Sequence, residues 1–256
     1  MVSPGNTSIA DTCAGACSSM EHTYIMSSFG TGFYDVWFYI EEQLIDKKNM
    51  SVSRSAMILA GGEAKRVNGR EKYFFSYKGC SFIARLVSVF SGITDEIVIV
   101  AKNEKQTAHF AGLPDNVRCT WDKQNGLGPI GGIASGIEEI KGDAVFIAAC
   151  DMPTVNRSIV SYLFDRLSSY DAVVPAWNES EIEPLHSVYR TDSVRRYLTE
   201  HPDTSLKGMI QNLNTLRVTT DELREYDSGL ETFRNVNTLD ELLAMGPEAS
   251  YREKHP

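Results

Sequence analysis

Short β-branched segments alternate with helix-like segments from residue 50 towards the end of this 256-residue chain. Most of the strand-like segments are bounded by Gly, Asp or Pro, and the predicted strands are 56–59, 96–100, 117–121, 144–148, 172–175, 186–189 and 215–218. The predicted helices are 82–90, 104–111, 131–139, 157–167, 192–200, 206–212 and 240–244. Such alternation is typical of a sheet built with right-handed crossovers. It predicts a three-layer α/β/α fold of the Rossmann-like type, with a mostly parallel central sheet.

The first predicted strand leads into a glycine-rich loop that carries cations. Gly61 and Gly62 follow the strand, and the loop goes on to Lys65, Arg66 and Lys72. Because Gly lacks a Cβ atom, the backbone can turn sharply and direct its N–H groups at an anion, so the loop predicts a phosphate site. It is not a Walker A loop, because no Gly-Lys pair is followed by Ser or Thr. The alternative is a turn after an edge strand, with solvated charges.

A carboxylate follows the most apolar of the predicted strands. Residues 145–149 form a near-continuous apolar run, as expected of a central parallel strand, and Asp151 comes two residues later. Carboxylate oxygens suit Mg2+, which binds one or two carboxylates and completes its shell with water and nucleotide phosphates. The alternative role for Asp151 is to cap the next helix, but Asn156 and Ser158 lie nearer to that helix. We therefore predict that Asp151 is a metal ligand.

Three polar residues and the glycine loop are predicted to meet at one edge of the sheet. Asp122 follows the predicted strand 117–121, and Lys72 comes after the loop that starts at Gly61. Ligands of open α/β sheets bind at the carboxyl ends of the strands, so Lys72, Asp122 and Asp151 are expected near Gly61. The alternative for Asp122 is a solvated acid in a polar loop.

Two other functions are compatible with parts of this pattern. Residues 126–131 satisfy the G-x-G-x-x-G pattern of nicotinamide dehydrogenases, and Asp151 lies 20 residues past Gly131. However, Pro129 removes a backbone donor from that turn, and a dehydrogenase leaves the loop at Gly61 unexplained. A non-catalytic nucleotide sensor is the second alternative. It has no need for the pair of opposite charges that Lys72 and Asp151 provide.

The loop resembles the nucleotide-binding signature of the molybdenum cofactor guanylyltransferase family, within the nucleotidyltransferase superfamily. The matching residues are Leu59, Ala60, Gly61, Gly62, Arg66, Gly69 and Lys72. Val67 replaces the usual Met, and Asn68 stands where Gly is common. Further blocks resemble the family in the same order: Asp122 before Gly128-Pro129-Ile130-Gly131-Gly132-Ile133, then Ala149-Cys150-Asp151-Met152-Pro153, Glu183-Pro184-Leu185-His186-Ser187-Val188-Tyr189, and Phe233-Arg234-Asn235-Val236-Asn237-Thr238.

The resemblance implies a nucleotidyltransferase fold and a magnesium-dependent enzyme that transfers GMP from GTP to the molybdopterin cofactor, releasing pyrophosphate. It assigns Lys72 and Asp151 as catalytic, with Asp151 also the Mg2+ ligand. The implied nucleotide-binding residues are Leu59, Ala60, Gly61, Lys72, Asp122 and Asp151. Proteins that deliver the cofactor, and molybdoenzymes, are candidate partners. A cytidylyltransferase, or another nucleotidyltransferase with a different phosphorylated acceptor, remains the alternative.

Three further polar residues lie in the matched blocks. His186 is on an alternating segment, where a histidine near a pocket is more often a hydrogen-bonded wall residue than a general base. The resemblance implies that Asn235 and Asn237 brace the site or contact metal-bound phosphates. The alternative is that they form a plain turn before Thr238.

Charge and composition limit the partners and the location. The net charge of −9 and the scattered Lys and Arg residues argue against nucleic-acid binding. No apolar run approaches the roughly 20 residues of a membrane span, so no membrane contact and a cytoplasmic location are expected. Residues 1–49 contain no Lys or Arg before Lys47, and we predict a poorly structured extension ahead of a nucleotidyltransferase domain at 50–256. A partner-binding tail is the alternative, suggested by the aromatic cluster Tyr34, Trp37, Phe38 and Tyr39.

Overall fold

The computed structural model of the protein describes residues 52–61, 72, 75–110, 112–124, 126–202 and 204–251. The predicted extension 1–49 lies outside the described residues, so the division into 1–49 and 50–256 stays a prediction. The loop residues Gly62, Lys65, Arg66 and Gly69 also lie outside them. In the described part, no helix combines the length and the apolar character needed to cross a membrane.

The strands form two sheets. In chain order they are β1 Arg54–Leu59, β2 Phe75–Tyr77, β3 Cys80–Ser81, β4 Glu96–Ala101, β5 Val117–Trp121, β6 Ala144–Ala149, β7 Ala172–Ala176, β8 His186–Arg190, β9 Thr215–Thr219 and β10 Ala249–Tyr251. The central sheet has seven strands in the order β5-β4-β1-β6-β8-β7-β9. All its pairings are parallel except those of β8, which is antiparallel to β6 and β7. β10, β2 and β3 form a small antiparallel sheet.

Helices cover both faces of the central sheet. They are α1 Phe82–Phe90, α2 Glu104–Thr107, α3 Pro129–Ile137, α4 Arg157–Asp165, α5 Thr191–Glu200, α6 Leu206–Asn212, α7 Thr220–Leu223 and α8 Leu239–Leu243. Alternate residues of a strand point to opposite faces, so Ala56 and Ile58 of β1 join the core under α1 and α4. Met57 and Leu59 join the core under α3, α5 and α6. The predicted α/β/α fold with a mostly parallel sheet is therefore confirmed.

The differences from the expected elements have local causes. All seven predicted strands are present, whereas β2, β3 and β10 were not predicted, because two or three residues are too few to show a periodicity. α7 is a single turn held by a capping box between Thr219 and Glu222. The predicted helix 104–111 is shorter, since α2 is followed by the 3-10 turn Ala108–Phe110. The reversal of β8 follows from the connection before it, which contains no helix to carry a crossover.

Helix α3 approaches the sheet closely through two glycines. A Cβ atom at Gly132 would lie 3.3 Å from Leu59 Cδ2, and one at Gly136 would lie 2.6 Å from Val100 Cγ2 and 2.9 Å from Met57 Sδ. Val100 and Met57 are buried strand residues, and the branched side chain of Val100 has little freedom to move. The loop before α3, which carries part of the candidate site, is therefore held close to β1 and β4.

Gly136→Ala is expected to lower the free energy of unfolding by about 1–2 kcal/mol. Overpacking a core costs about 1–3 kcal/mol, and contacts of 2.6 and 2.9 Å place this substitution in the upper part of that range, at about 2–3 kcal/mol. The better helix propensity of Ala offsets about 1 kcal/mol of this cost. Urea unfolding monitored by circular dichroism measures the change. Gly229→Ala is the control, because its Cβ would come no closer than 3.6 Å to the surrounding atoms. Equal stability of the two variants would contradict the packing described for α3.

Candidate functional site

The end of β1 places the first residues of the glycine loop against β4. The backbone N–H groups of Ala60 and Gly61 both donate to Val100 O, at 2.9 and 3.2 Å. A Cβ atom at Gly61 would lie 3.1 Å from the Cα atom of Lys102, so the close approach of the two backbones favours glycine. The N–H of Gly61 is therefore engaged within the protein, and the predicted phosphate site of the glycine loop stays a prediction.

Lys72, Asp151 and Asn237 form a three-membered cluster at the carboxyl end of β6. Lys72 Nζ donates to Asp151 Oδ2 and to Asn237 Oδ1, each at 2.7 Å. The backbone N–H of Val236 donates to Asp151 O at 2.9 Å, which fixes the segment that carries Asn237. The side chains of Lys72 and Asp151 are 24% and 18% exposed, so solvent screens this ion pair only in part. The structure thus brings together the two residues that were predicted to be catalytic.

The donor set of this cluster fits a divalent cation. A carboxylate oxygen of Asp151 and an amide oxygen of Asn237 converge on one positive charge, the ammonium group of Lys72. Hard oxygen donors of this kind are the ligands that Mg2+ prefers. No group of three or more His, Cys, Asp or Glu side chains placed to hold a metal occurs in the described residues. A metal at Asp151 would therefore share its shell with water and phosphate oxygens, which is usual for Mg2+.

Asp151 is not needed as a helix cap. Asn156 Oδ1 accepts hydrogen bonds from the N–H groups of Ser158 and Ile159, at 2.8 and 3.4 Å, and so caps α4. This arrangement agrees with the expectation that Asn156 takes the capping role. The carboxylate of Asp151 faces Lys72 instead.

Asp122 lies at the same edge of the sheet, away from the cluster of Lys72, Asp151 and Asn237. It follows β5, three strand positions from β6, and neighbouring strands are about 4.8 Å apart, so about 14 Å separates Asp122 from Asp151. Asp122 Oδ1 accepts from Gln124 N at 2.8 Å. A Cβ atom at Gly131 would lie 3.1 Å from the same oxygen, so this glycine lets the carboxylate approach the first turn of α3.

Comparison with known proteins identifies the family. A family model described as the MobA-like NTP transferase domain matches residues 56–218, more than half of the chain. This chain belongs to that family.

Similar proteins carry related names. The probable molybdenum cofactor guanylyltransferase of Methanosarcina mazei is 31% identical over 197 residues, covering 74% of this chain and 88% of that protein. The protein of the same name from Methanothermobacter thermautotrophicus is 31% identical over 200 residues, covering 75% and 99%. Among solved structures, molybdopterin-guanine dinucleotide biosynthesis protein A from Archaeoglobus fulgidus has 25% identity and a TM-score of 0.60, covering 73% of this chain and 94% of that one.

As a MobA-like NTP transferase, the chain is a nucleotidyltransferase, and the family match contains much of its candidate site. Lys72, Asp122 and Asp151 lie within residues 56–218, whereas Asn237 lies beyond them. The fold brings Asn237 back to the end of β6, where it contacts Lys72. The roles expected of Leu59, Ala60, Gly61, Lys72, Asp122 and Asp151 in binding and catalysis stay predictions.

His186 of this NTP transferase is a buried wall residue rather than a general base. Its Nε2 atom lies 3.0 Å from Thr232 Oγ1, and its ring packs against Phe146 and Phe233, with centroids 5.1 and 4.8 Å away. Nδ1 is buried without a hydrogen-bond partner among the described residues. Burial lowers the pKa of His186 to about 3, so the ring is neutral at physiological pH. Its contacts support the turn that precedes Asn237.

The buried ring of His186 predicts a loss of stability in mild acid. The unfolded chain takes up a proton near pH 6.5, whereas the folded chain does so only near pH 3, so stability falls as the pH drops through this window. The slope contributed by this residue approaches about 1.4 kcal/mol per pH unit below pH 6. Urea unfolding at several pH values measures it, and His186→Gln should flatten the dependence.

Exposed His201→Gln is the matched control for that measurement, because it removes a histidine from the surface. It should keep the steeper slope of the wild-type chain. A His186→Gln variant with the same slope as the wild type would show that His186 is not buried in the neutral form.

Proposed function

We propose that this chain transfers GMP from GTP to the molybdopterin form of the molybdenum cofactor, producing a guanine dinucleotide and pyrophosphate. The observation that carries the proposal is the convergence of Lys72, Asp151 and Asn237 at the end of β6. The relatives at about 31% identity named as probable molybdenum cofactor guanylyltransferases support the choice of substrates.

In this reaction the protein mainly positions the two substrates and forms no covalent intermediate with them. A phosphate oxygen of the acceptor attacks the α-phosphorus of GTP, and a new P–O bond forms. The bond from the α-phosphorus to the oxygen that bridges to the β-phosphate breaks, and pyrophosphate leaves with that electron pair. Holding the two oxygens in line and countering the charge of the phosphates lowers the barrier.

The cluster at the end of β6 supplies the groups that meet this charge. The ammonium group of Lys72 is proposed to donate hydrogen bonds to the triphosphate. These hydrogen bonds replace the ones that it makes to Asp151 and Asn237. Asp151, with Asn237 beside it, is proposed to hold Mg2+. The ion, when bound, neutralises phosphate charge that a single ammonium leaves uncompensated. The half-buried position of Lys72 and Asp151 strengthens these interactions relative to an open surface.

The nucleotide is proposed to lie over the strands on one side of Asp151. The backbone at Leu59, Ala60 and Gly61 lies at the end of β1, and Asp122 follows β5 at the edge of the sheet. The roughly 14 Å between Asp122 and Asp151 is spanned by a nucleoside and its α-phosphate, with Asp122 facing the ribose or the base. The acceptor then approaches from the side of β8 and β7.

The donor nucleotide is tested by thermal shift with each of the four NTPs and Mg2+. GTP is expected to raise the melting temperature most, because a ligand at about 100 times its Kd adds about 2.7 kcal/mol of stability. Acceptor-dependent pyrophosphate release should follow the same order of nucleotides. A better response to CTP would contradict the guanylyl assignment and favour a cytidylyltransferase.

Asp151→Asn is expected to lower turnover by about 100-fold or more, because it removes the charge of the proposed metal ligand and leaves the shape unchanged. Lys72→Ala should weaken GTP binding and keep the dependence on Mg2+. Asp165→Asn is the control, since Asp165 also accepts a hydrogen bond from a cation at 2.7 Å. Its partner is Arg54, at the opposite end of β1 from the site.

Steady-state rates across a magnesium titration measure these effects. Near-normal turnover of Asp151→Asn at limiting Mg2+ would show that the metal is held elsewhere. A protein that binds GTP but gives no pyrophosphate with any phosphorylated acceptor would be a sensor rather than an enzyme.

A further inference from the structure

The connection between β7 and β8 lies at the same edge of the sheet as the candidate site. β7 is parallel to β9 and β8 runs the other way, so residues 177–185 emerge at the edge where β6 delivers Asp151. The strand order β5-β4-β1-β6-β8-β7-β9 puts this connection on the far side of Asp151 from Asp122. It lies beside the half of the edge that the proposed nucleotide position leaves free.

Backbone hydrogen bonds hold this connection in one conformation. Trp177 N donates to Glu181 O and Glu183 N donates to Pro175 O, both at 2.9 Å. At the tip, Asn178 Oδ1 accepts from the N–H groups of two residues that follow it, again at 2.9 Å. Side chains on the connection are therefore presented by a hydrogen-bonded hairpin.

Trp177 is fixed at two points and remains 40% exposed. Its Nε1–H donates to Glu183 Oε1 at 2.8 Å. Its ring packs against Phe233 with 5.5 Å between the centroids and 64° between the planes. A tryptophan that only stabilised the hairpin would gain most by burying its ring, since an aromatic side chain contributes mainly through the area it buries. The immobilised indole leaves apolar aromatic surface available to a flat ligand.

Glu183 adds a carboxylate oxygen that accepts no hydrogen bond from the described residues. The residue is half-buried, and this burial raises the pKa of its carboxyl group, against the opposite effect of the Trp177 hydrogen bond. Oε1 accepts from the indole, whereas Oε2 accepts no hydrogen bond from a residue that the structure describes. A partly desolvated carboxylate oxygen that receives no hydrogen bond from the described residues favours a ligand that carries N–H groups.

The hairpin is connected to the phosphate cluster through Phe233. Phe233 contacts Trp177, and four residues later Asn237 contacts Lys72. Four residues of chain span at most about 14 Å between the Cα atoms of Phe233 and Asn237, so one short segment contacts both the indole and the ammonium group of Lys72.

We propose that Trp177 and Glu183 form the subsite for the heterocycle of the acceptor. The indole stacks on the flat ring, and Glu183 Oε2 accepts from the ring N–H and the exocyclic amino group that lie side by side on a pterin. This inference rests on the proposed function, which supplies a pterin as acceptor. Guanine carries the same pair of donors, but the nucleotide is placed on the side of Asp122, so the pterin is assigned to the hairpin.

The test compares Trp177→Ala, Trp177→Phe and Glu183→Gln with the wild-type chain. Stacking of a flat base on an aromatic side chain is worth about 1–3 kcal/mol, so Trp177→Ala should raise KM for molybdopterin by about 10-fold or more. Glu183→Gln should raise it similarly, and Trp177→Phe should retain most of the affinity. KM for GTP and the thermal shift with GTP and Mg2+ should stay unchanged in all three. Glu181→Gln, which changes an exposed carboxylate on the same hairpin, is the control.

A second measurement separates failure of the subsite from failure of the proposed function. Hydroxymethylpterin is titrated by its own fluorescence, without nucleotide, against the wild-type chain and the same variants. The wild-type chain should bind it more tightly than Trp177→Ala and Glu183→Gln, whatever nucleotide is the donor. Equal binding by the wild type and these variants, or an effect on KM for GTP in place of KM for the acceptor, would overturn the inference.

Discussion

The parallel pairing of β1 with β6 determines where the glycine loop and Asp151 emerge. Both strands are buried on both faces, and the register sets Leu59 opposite Ala149. The ladder continues one residue further, because Cys150 N donates to Leu59 O at 3.1 Å. A shift of one residue would turn the side chains of a strand to the opposite faces and expose different groups at its end. Gly61 and Asp151 therefore leave the sheet side by side, and the loop and the carboxylate share one location.

The strands of the central sheet were predictable from the sequence because most of them are short apolar or β-branched runs bounded by turn residues. β5 and β6 are short apolar or β-branched runs between turn residues, and helices α1 and α6 have the predicted limits. The alternation of strands and helices did not predict the antiparallel orientation of β8. The absence of a helical segment between residues 175 and 186 does indicate it, because a parallel crossover needs a longer connection. The small sheet of β10, β2 and β3 depends on contacts between residues far apart in the chain, which local periodicity does not report.

The candidate site was predictable in part for the same reason. Lys72 and Asp151 were expected at one edge of the sheet, and the structure places them in contact. The contact of Lys72 with Asn237 joins residues 165 positions apart, and no spacing in the sequence reveals it. Trp177 was not predicted as a site residue, because a lone aromatic residue in a connection gives no periodic signal. Its position directly after a strand, at the edge where ligands bind, was the available clue.

The one reversed strand of the central sheet divides this edge into two parts whose loops are held in different ways. On the β1, β4 and β5 side, the loops lie close to one another: a Cβ atom at Gly61 would lie 3.1 Å from the Cα atom of Lys102, and one at Gly131 would lie 3.1 Å from the carboxylate of Asp122. Substitution there disturbs several loops at once. The connection from β7 to β8 is a hairpin held by its own backbone hydrogen bonds and, at the tip, by a hydrogen bond from Arg217 of β9 to Glu179 O at 2.6 Å. With the proposed division of this edge, one scaffold can keep its nucleotide half constant while exchange of a single hairpin adapts the other half to a new acceptor.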